Sequence, residues 1–176
     1  MVKKITINTL IIFLFSLMLH YFYHSLPCFI SSIISPVNES FIEHIKLIYS
    51  SYILFLVVKV LFQKKPEKDI LSTYTIFPIF NIFIFSLIYL PIKSLFKVNT
   101  LVTLIIYFIT IFISNYYMII YKNNRKIKNK YFLFSIIFMY ILFSLFTYYP
   151  LKNKLFLDEK TNTYGIFNSK IKLGIF

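Results

Sequence analysis

The sequence predicts an all-α, polytopic membrane protein of about five transmembrane helices, with the N-terminus inside and the C-terminus outside. Long apolar runs, the scarcity of charge within them and the placement of lysines between them carry this expectation. Apolar residues make up 59% of the 176 residues and charged residues 14%, against roughly 45–50% and 25% in an ordinary globular domain. With 2 glycines and 6 prolines, the chain fits neither a disordered segment nor a string of short sandwich strands. A β-barrel needs stretches of about ten residues alternating apolar and polar; Leu104 to Ile113 is instead apolar on nearly every face.

A hydrocarbon core of about 30 Å takes roughly 20 helical residues at 1.5 Å each. Segments near Ile5 to His24, Phe41 to Phe62, Leu71 to Leu90, Val98 to Tyr121 and Tyr131 to Tyr149 have that length. The third is interrupted by Pro78 and Asn81, and Pro91 is expected to end it; a kinked crossing is expected there, since neighbouring helices can satisfy the freed backbone groups. Tyr21, Tyr23, Tyr121, Tyr131, Tyr148 and Tyr149 fall near the ends, as an interfacial aromatic belt does. These spans define a membrane domain over 1–149, and 150–176 forms an extracytoplasmic tail. No internal repeat supports an inverted-repeat transporter.

Lysine placement sets the orientation. With five crossings the inner segments hold Lys3 and Lys4, then Lys64, Lys65 and Lys68, then Lys122, Arg125, Lys126, Lys128 and Lys130, whereas the outer loops hold Lys46, Lys93 and Lys97. Without a third crossing, the basic loop from Lys122 to Lys130 would face outward, against the positive-inside rule. The tail, with five lysines, runs against this assignment, though a tail after the last span is a weaker determinant than the loops. The net charge of +13 would suggest nucleic acid in a soluble protein; between membrane spans it points to the bilayer itself and to anionic lipids at the cytoplasmic face, with no nucleic acid. Lysine alongside abundant Ile, Asn, Phe and Tyr fits an AT-rich bacterial genome, and hence the bacterial cell membrane. Cys28 is the single cysteine, so no internal disulfide forms. Pro27 before it argues against lipoprotein processing, and the length of the first run favours a retained span over a cleaved signal peptide.

One polar cluster stands out. His20, His24 and His44 fall in the first quarter of the chain with Glu39 and Glu43, and the topology puts all five on the outer side. His20 and His24 are four apart, as are Glu39 and Glu43, so each pair shares a helix face. Together with His44 they could hold a divalent metal as a mononuclear or carboxylate-rich site, and Glu39, Glu43 and His44 are the candidate acid–base groups of an enzymatic version. The plainer expectation is structural: Ser40 to Glu43 reads as a capping box with Pro36 and Asn38 leading in, and Glu43 and Lys46, three apart, could pair on the helix surface.

The stretch Ser35-Pro-Val-Asn-Glu-Ser-Phe-Ile-Glu-His-Ile-Lys46 resembles the signature of an uncharacterised family of small bacterial multi-pass membrane proteins. Its members read similarly to Ser/Ala-Pro-Val-Asn-Glu-Ser-x-x-Glu-His-x-Lys after a first span ending in a Leu-His pair, here Leu19 and His20. A second matching stretch comprises Phe146, Thr147, Pro150, Leu155, Phe156, Asp158, Thr163, Tyr164 and Gly165. The resemblance implies a membrane location and points to His20, Asn38, Glu39, Glu43, His44, Lys46, Asp158 and Tyr164; His24 is not part of the pattern. Where relatives read Asp-Pro-Val, this chain has Asp158-Glu159-Lys160. With an odd number of spans both motifs lie on one side, and Asp158 and Tyr164 could fold back over the cluster through a Tyr164-Gly165 turn.

Three functions follow as expectations: a polar site at the outer face binding a small ligand, lipid headgroup or metal; a structural or accessory subunit whose motif caps a helix; and a small transport component. The last is disfavoured by mid-span segments that are apolar apart from Asn81, Asn115 and scattered Ser and Thr.

Overall fold

The computed structural model describes residues 2–62, 70–96, 98–122 and 132–166. Among them are six helices, α1 (Val2–Ser25), α2 (Phe29–Ile34), α3 (Phe41–Phe62), α4 (Ile70–Leu95), α5 (Thr100–Lys122) and α6 (Phe132–Tyr148), followed by strands β1 (Leu157–Asp158) and β2 (Thr163–Tyr164). Four stretches are long and apolar enough to cross a membrane: Val2–Ser25, Phe41–Phe62, Thr73–Leu95 and Thr100–Ile120. α6 is apolar but has 17 residues, about 25 Å of rise. The lysine-rich segments Lys64 to Lys68 and Arg125 to Lys130, expected on the inner side, fall outside the described residues, as do Lys97 and the chain beyond residue 166.

Two differences from expectation are physical. Pro91 lies inside α4, which continues to Leu95. A proline forfeits one N–H rung and crowds the carbonyl four residues back; the ladder resumes beyond it, with the Phe96 amide donating to Ile92 O at 2.9 Å. The short α2 is absent from the periodicity because six residues are too few to show one. Cys28 caps it: the Ser31 amide donates to Sγ, and the Ser31 hydroxyl accepts from the Cys28 amide at 3.0 Å.

The chain forms two compact units, one of Met1–Phe15 with Tyr52–Phe132 and the other of Ser16–Ser51 with Leu133–Phe176. In the first, α4 and α5 form an antiparallel hairpin in which Phe85 meets Tyr107 edge-on at 6.0 Å and Ser114 Oγ donates to Phe77 O at 3.2 Å. The first half of α1 packs on α5 through Phe13 against Tyr107 and Phe108, and Asn115 Nδ2 donates to Thr9 Oγ1 at 3.0 Å. Lys59, in the last turn of α3, donates to the Tyr74 hydroxyl at 3.1 Å and lies 5.1 Å from that ring's centre, a cation at the end of a helix where the backbone dipole favours one.

Asn81 in this unit is fully buried, and neither amide atom has a hydrogen-bond partner among the described residues. An orphaned buried polar group costs about 1–3 kcal/mol, and leucine has nearly the same branched shape. Asn81→Leu is therefore expected to raise the thermal unfolding midpoint of the protein in detergent. An unchanged or lower midpoint would show that the amide is satisfied.

The second unit joins the end of α1, α2, the start of α3, α6 and the β1–β2 hairpin. Tyr49 of α3 packs edge-on against Tyr140 and Phe143 of α6. Tyr23, Val37 and Ile166 form a small buried cluster with Tyr148 against it, so residues from both ends of the chain share one apolar core.

Candidate functional site

Ser40 starts α3. Its oxygen accepts from the Glu43 amide at 3.5 Å, and its own amide donates to Asn38 Oδ1 at 2.9 Å. The expected capping box is thus half formed: Asn38, not Glu43, takes the cap residue's N–H. Glu43 is released from capping and turns inward.

There it meets Lys46. The two side chains form an ion pair, with 4% and 1% of their surface exposed, so the pairing is buried and not on the helix surface as expected. Glu43 Oε2 also accepts from the Val37 amide at 3.1 Å, and Oε1 from the Thr147 hydroxyl at 2.8 Å. The Lys46 ammonium donates to Ser32 O at 2.7 Å and to Thr147 Oγ1 at 2.9 Å, besides the carboxylate. All three ammonium protons are used, and Thr147 donates to one partner while accepting from the other. Such a closed network makes a buried charge pair tolerable.

A second group of polar side chains is half-exposed. His20 Nε2 lies 3.5 Å from Glu39 Oε1, and His44 Nε2 lies 3.7 Å from Glu39 Oε2. One ligand atom from each of the three residues lies within 4.8 Å of the others. In a tetrahedral zinc site with bonds of about 2.0–2.1 Å, ligand atoms sit roughly 3.3 Å apart, so the two distances to Glu39 are already close to that geometry. The imidazoles of His20 and His44 are 5.7 Å apart between centres. His44 Nδ1 sits 2.9 Å from Ser40 O. A carbonyl can only accept, so Nδ1 carries a proton and Nε2, the nitrogen that faces Glu39, is the one free to ligate a metal, as in histidine ligands oriented by a backbone carbonyl.

The tail closes around this region. Its first cap is unusual: Leu155 O accepts from the Ile42 amide in the opening turn of α3 at 3.2 Å. Asn38 Nδ2 donates to Gly165 O at 3.3 Å, and Lys160 Nζ lies 3.6 Å from Glu39 Oε2. Asp158 Oδ1 accepts from the Lys160 amide and Oδ2 from the Thr161 hydroxyl, each at 2.9 Å, so this carboxylate organises the β1–β2 turn.

Residues 1–166 match the model of a family of unknown function, DUF6512. The chain belongs to that family. No curated protein and no solved structure matches it.

In this DUF6512 member the residues singled out by sequence divide into three sets. His20, Glu39 and His44 converge. Glu43 and Lys46 form the buried pair beside them in sequence. Asn38, Asp158 and Tyr164 belong to the scaffold: Asn38 and Asp158 hold turns, and Tyr164 pairs with Leu157 across the hairpin. His24, four residues from His20, is exposed and outside the converging set. Sequence reasoning did not single out Thr147, Ser32 or Lys160 as site residues. Thr147 carried a signal, since a hydroxyl at the end of an otherwise apolar run is a polar group in want of a partner; a backbone carbonyl such as that of Ser32 carries none.

Gly165 has a φ of +58°, and a Cβ there would meet Thr147 O at 2.5 Å and Pro150 Cγ at 2.8 Å. Gly165→Ala is expected to free the tail, raising the rate of limited proteolysis after residue 150 while the helices keep their far-UV signal. Unchanged cleavage would show that the backbone shifts to admit the methyl group.

Proposed function

We propose that this chain is a multi-pass protein of the bacterial cell membrane, with α6 as a fifth crossing and the N-terminus inside. We propose further that it binds a divalent cation at the outer face through His20, Glu39 and His44. The convergence of three ligand atoms from α1, the α2–α3 loop and α3 carries the reading. Two imidazoles and one carboxylate suit zinc. Three protein ligands leave a coordination position open, the arrangement of catalytic zinc sites, in contrast to the four ligands of closed structural ones. The family motif then divides its labour: Glu39 and His44 bind, while Asn38, Glu43 and Lys46 fix the loop that presents them. Lysine-rich loops on the opposite side contact anionic lipids.

The direct test is the metal content of protein purified under mild extraction. About one equivalent of zinc per chain is expected, and less than about 0.1 equivalent after incubation with zinc and desalting would sink the reading.

Cys28 tests the topology. Its thiol is exposed, and hydrogen bonds from Ser31, the side chain first and then the backbone amide, hold it below the ordinary cysteine range. A lowered thiol is ionised at lower pH, so the reactive thiolate is more abundant at neutrality. A membrane-impermeant maleimide should label it in intact cells at pH 7, more slowly as the pH falls. Labelling confined to lysed cells would invert the orientation.

A further inference from the structure

The Lys160 ammonium sits beside the proposed metal ligands without being one of them. The turn that carries it is fixed on both sides, by the Asp158 carboxylate taking the Lys160 amide and the Thr161 hydroxyl, and by the Asn162 amide donating to Asp158 O at 2.8 Å. Asn162 adopts a positive φ of 55° to complete that turn, a conformation asparagine tolerates better than most residues. The side chain itself is exposed, and its contact with the site is Glu39 Oε2 at 3.6 Å. That same oxygen is the one nearest His44 Nε2.

A cation held by His20, Glu39 and His44 through the oxygen nearest His44 would claim this same atom. The exposed ammonium pair is weak, so the metal displaces it. Lys160 is then left next to an open coordination position with its former partner engaged. The charge there is that of a divalent cation and the Lys160 ammonium against two carboxylates, Glu39 and the Asp158 group that takes the Lys160 amide, which still leaves a net excess of positive charge. The vacant metal position and the solvent-exposed ammonium are both complemented by anionic oxygen.

Resting on the metal reading, we propose that the open position takes a phosphate-type oxyanion, with one oxygen on the metal and another on Lys160. Phosphate reaches a half-exposed site at a membrane surface either as a soluble anion or as a lipid headgroup, and both offer the same oxygens. The switch of Lys160 from Glu39 to the anion makes anion binding depend on the metal being present.

The test uses the full-length protein loaded with Co²⁺, whose visible absorption reports its coordination. Inorganic phosphate should perturb the spectrum of the wild-type protein. Lys160→Met should load the metal to the same stoichiometry but weaken phosphate binding about tenfold or more, the loss of a charge-assisted contact, and Lys160→Arg should largely restore it. In nanodiscs, phosphatidic acid that competes with phosphate, where phosphatidylcholine does not, assigns the site to a headgroup; phosphate binding without such competition assigns it to a soluble anion. Normal metal loading with no response to either probe overturns the oxyanion site, as does a Lys160→Met variant that binds phosphate as the wild type does. Failure to load the metal instead overturns the metal reading on which it rests.

Discussion

Replacing Lys46 by methionine is expected to destabilise the protein by about 3–5 kcal/mol, the cost of leaving a buried charge without its partner. Methionine keeps most of the lysine's volume, so the loss is electrostatic and not a cavity. Glu43 would remain 3% exposed, with the Val37 amide and the Thr147 hydroxyl as its remaining donors. The double variant Glu43→Gln with Lys46→Met should recover most of the stability. A glutamine oxygen can still accept from either donor, and replacing a buried pair by neutral groups is often neutral or favourable. Thr147→Val should fall between, since it removes one bond from each charge but leaves the charges together. These comparisons are read from unfolding midpoints in one detergent. A Lys46→Met protein within about 1 kcal/mol of wild type, the range of a surface ion pair, would show that the pair is hydrated.

The second large effect concerns the metal. Removing a partner that merely orients a ligand typically costs 10–100-fold in affinity, so His44→Ala, which removes a proposed ligand, should weaken zinc binding by more than about 100-fold. His24→Ala should leave it unchanged, because His24 is exposed and lies outside the converging set. The contrast is sharp because helix spacing alone would favour His20 with His24. Affinity should also fall with decreasing pH, since both imidazoles must be neutral to bind and protons compete for them. Competition against a chromophoric zinc chelator checks both statements. Equal affinities for the two alanine variants would remove His44 from the site.

The helical architecture was legible in the sequence because membrane helices need length and apolarity, both of which are local properties. The start and end of α3 at Phe41 and Phe62 were readable for the same reason, with Ser40 and Asn38 marking the entry. The continuation of α4 through Pro91 was not, because a proline's cost depends on what replaces the missing rung. The geometry of the candidate site was half legible. Glu39 and His44 stood out in the motif, and His20 as a polar residue late in a span. Their convergence, and the exclusion of His24, depends on how the α2–α3 loop folds, and α2 itself left no periodic trace. Glu43 was visible as a charged residue but its role was not: the choice between capping α3 and pairing with Lys46 turns on Asn38 taking the cap instead. Lys160 appeared as a departure from the family pattern, and only the hairpin shows which carboxylate it reaches.

The Thr147 bridge has a consequence for how the chain is made. Glu43 and Thr147 are 104 residues apart, and Lys46 and Thr147 are 101 apart. At synthesis rates of about 5–20 residues per second, α3, which ends at Phe62, is complete roughly 4–17 s before the hydroxyl that bridges its two charges has been polymerised. During that interval the two side chains have each other but not Thr147. A nascent chain released before α6 should therefore be a preferred target of membrane quality-control proteases. Arrival of α6, more than insertion of the earlier helices, would mark the point at which the protein becomes durable.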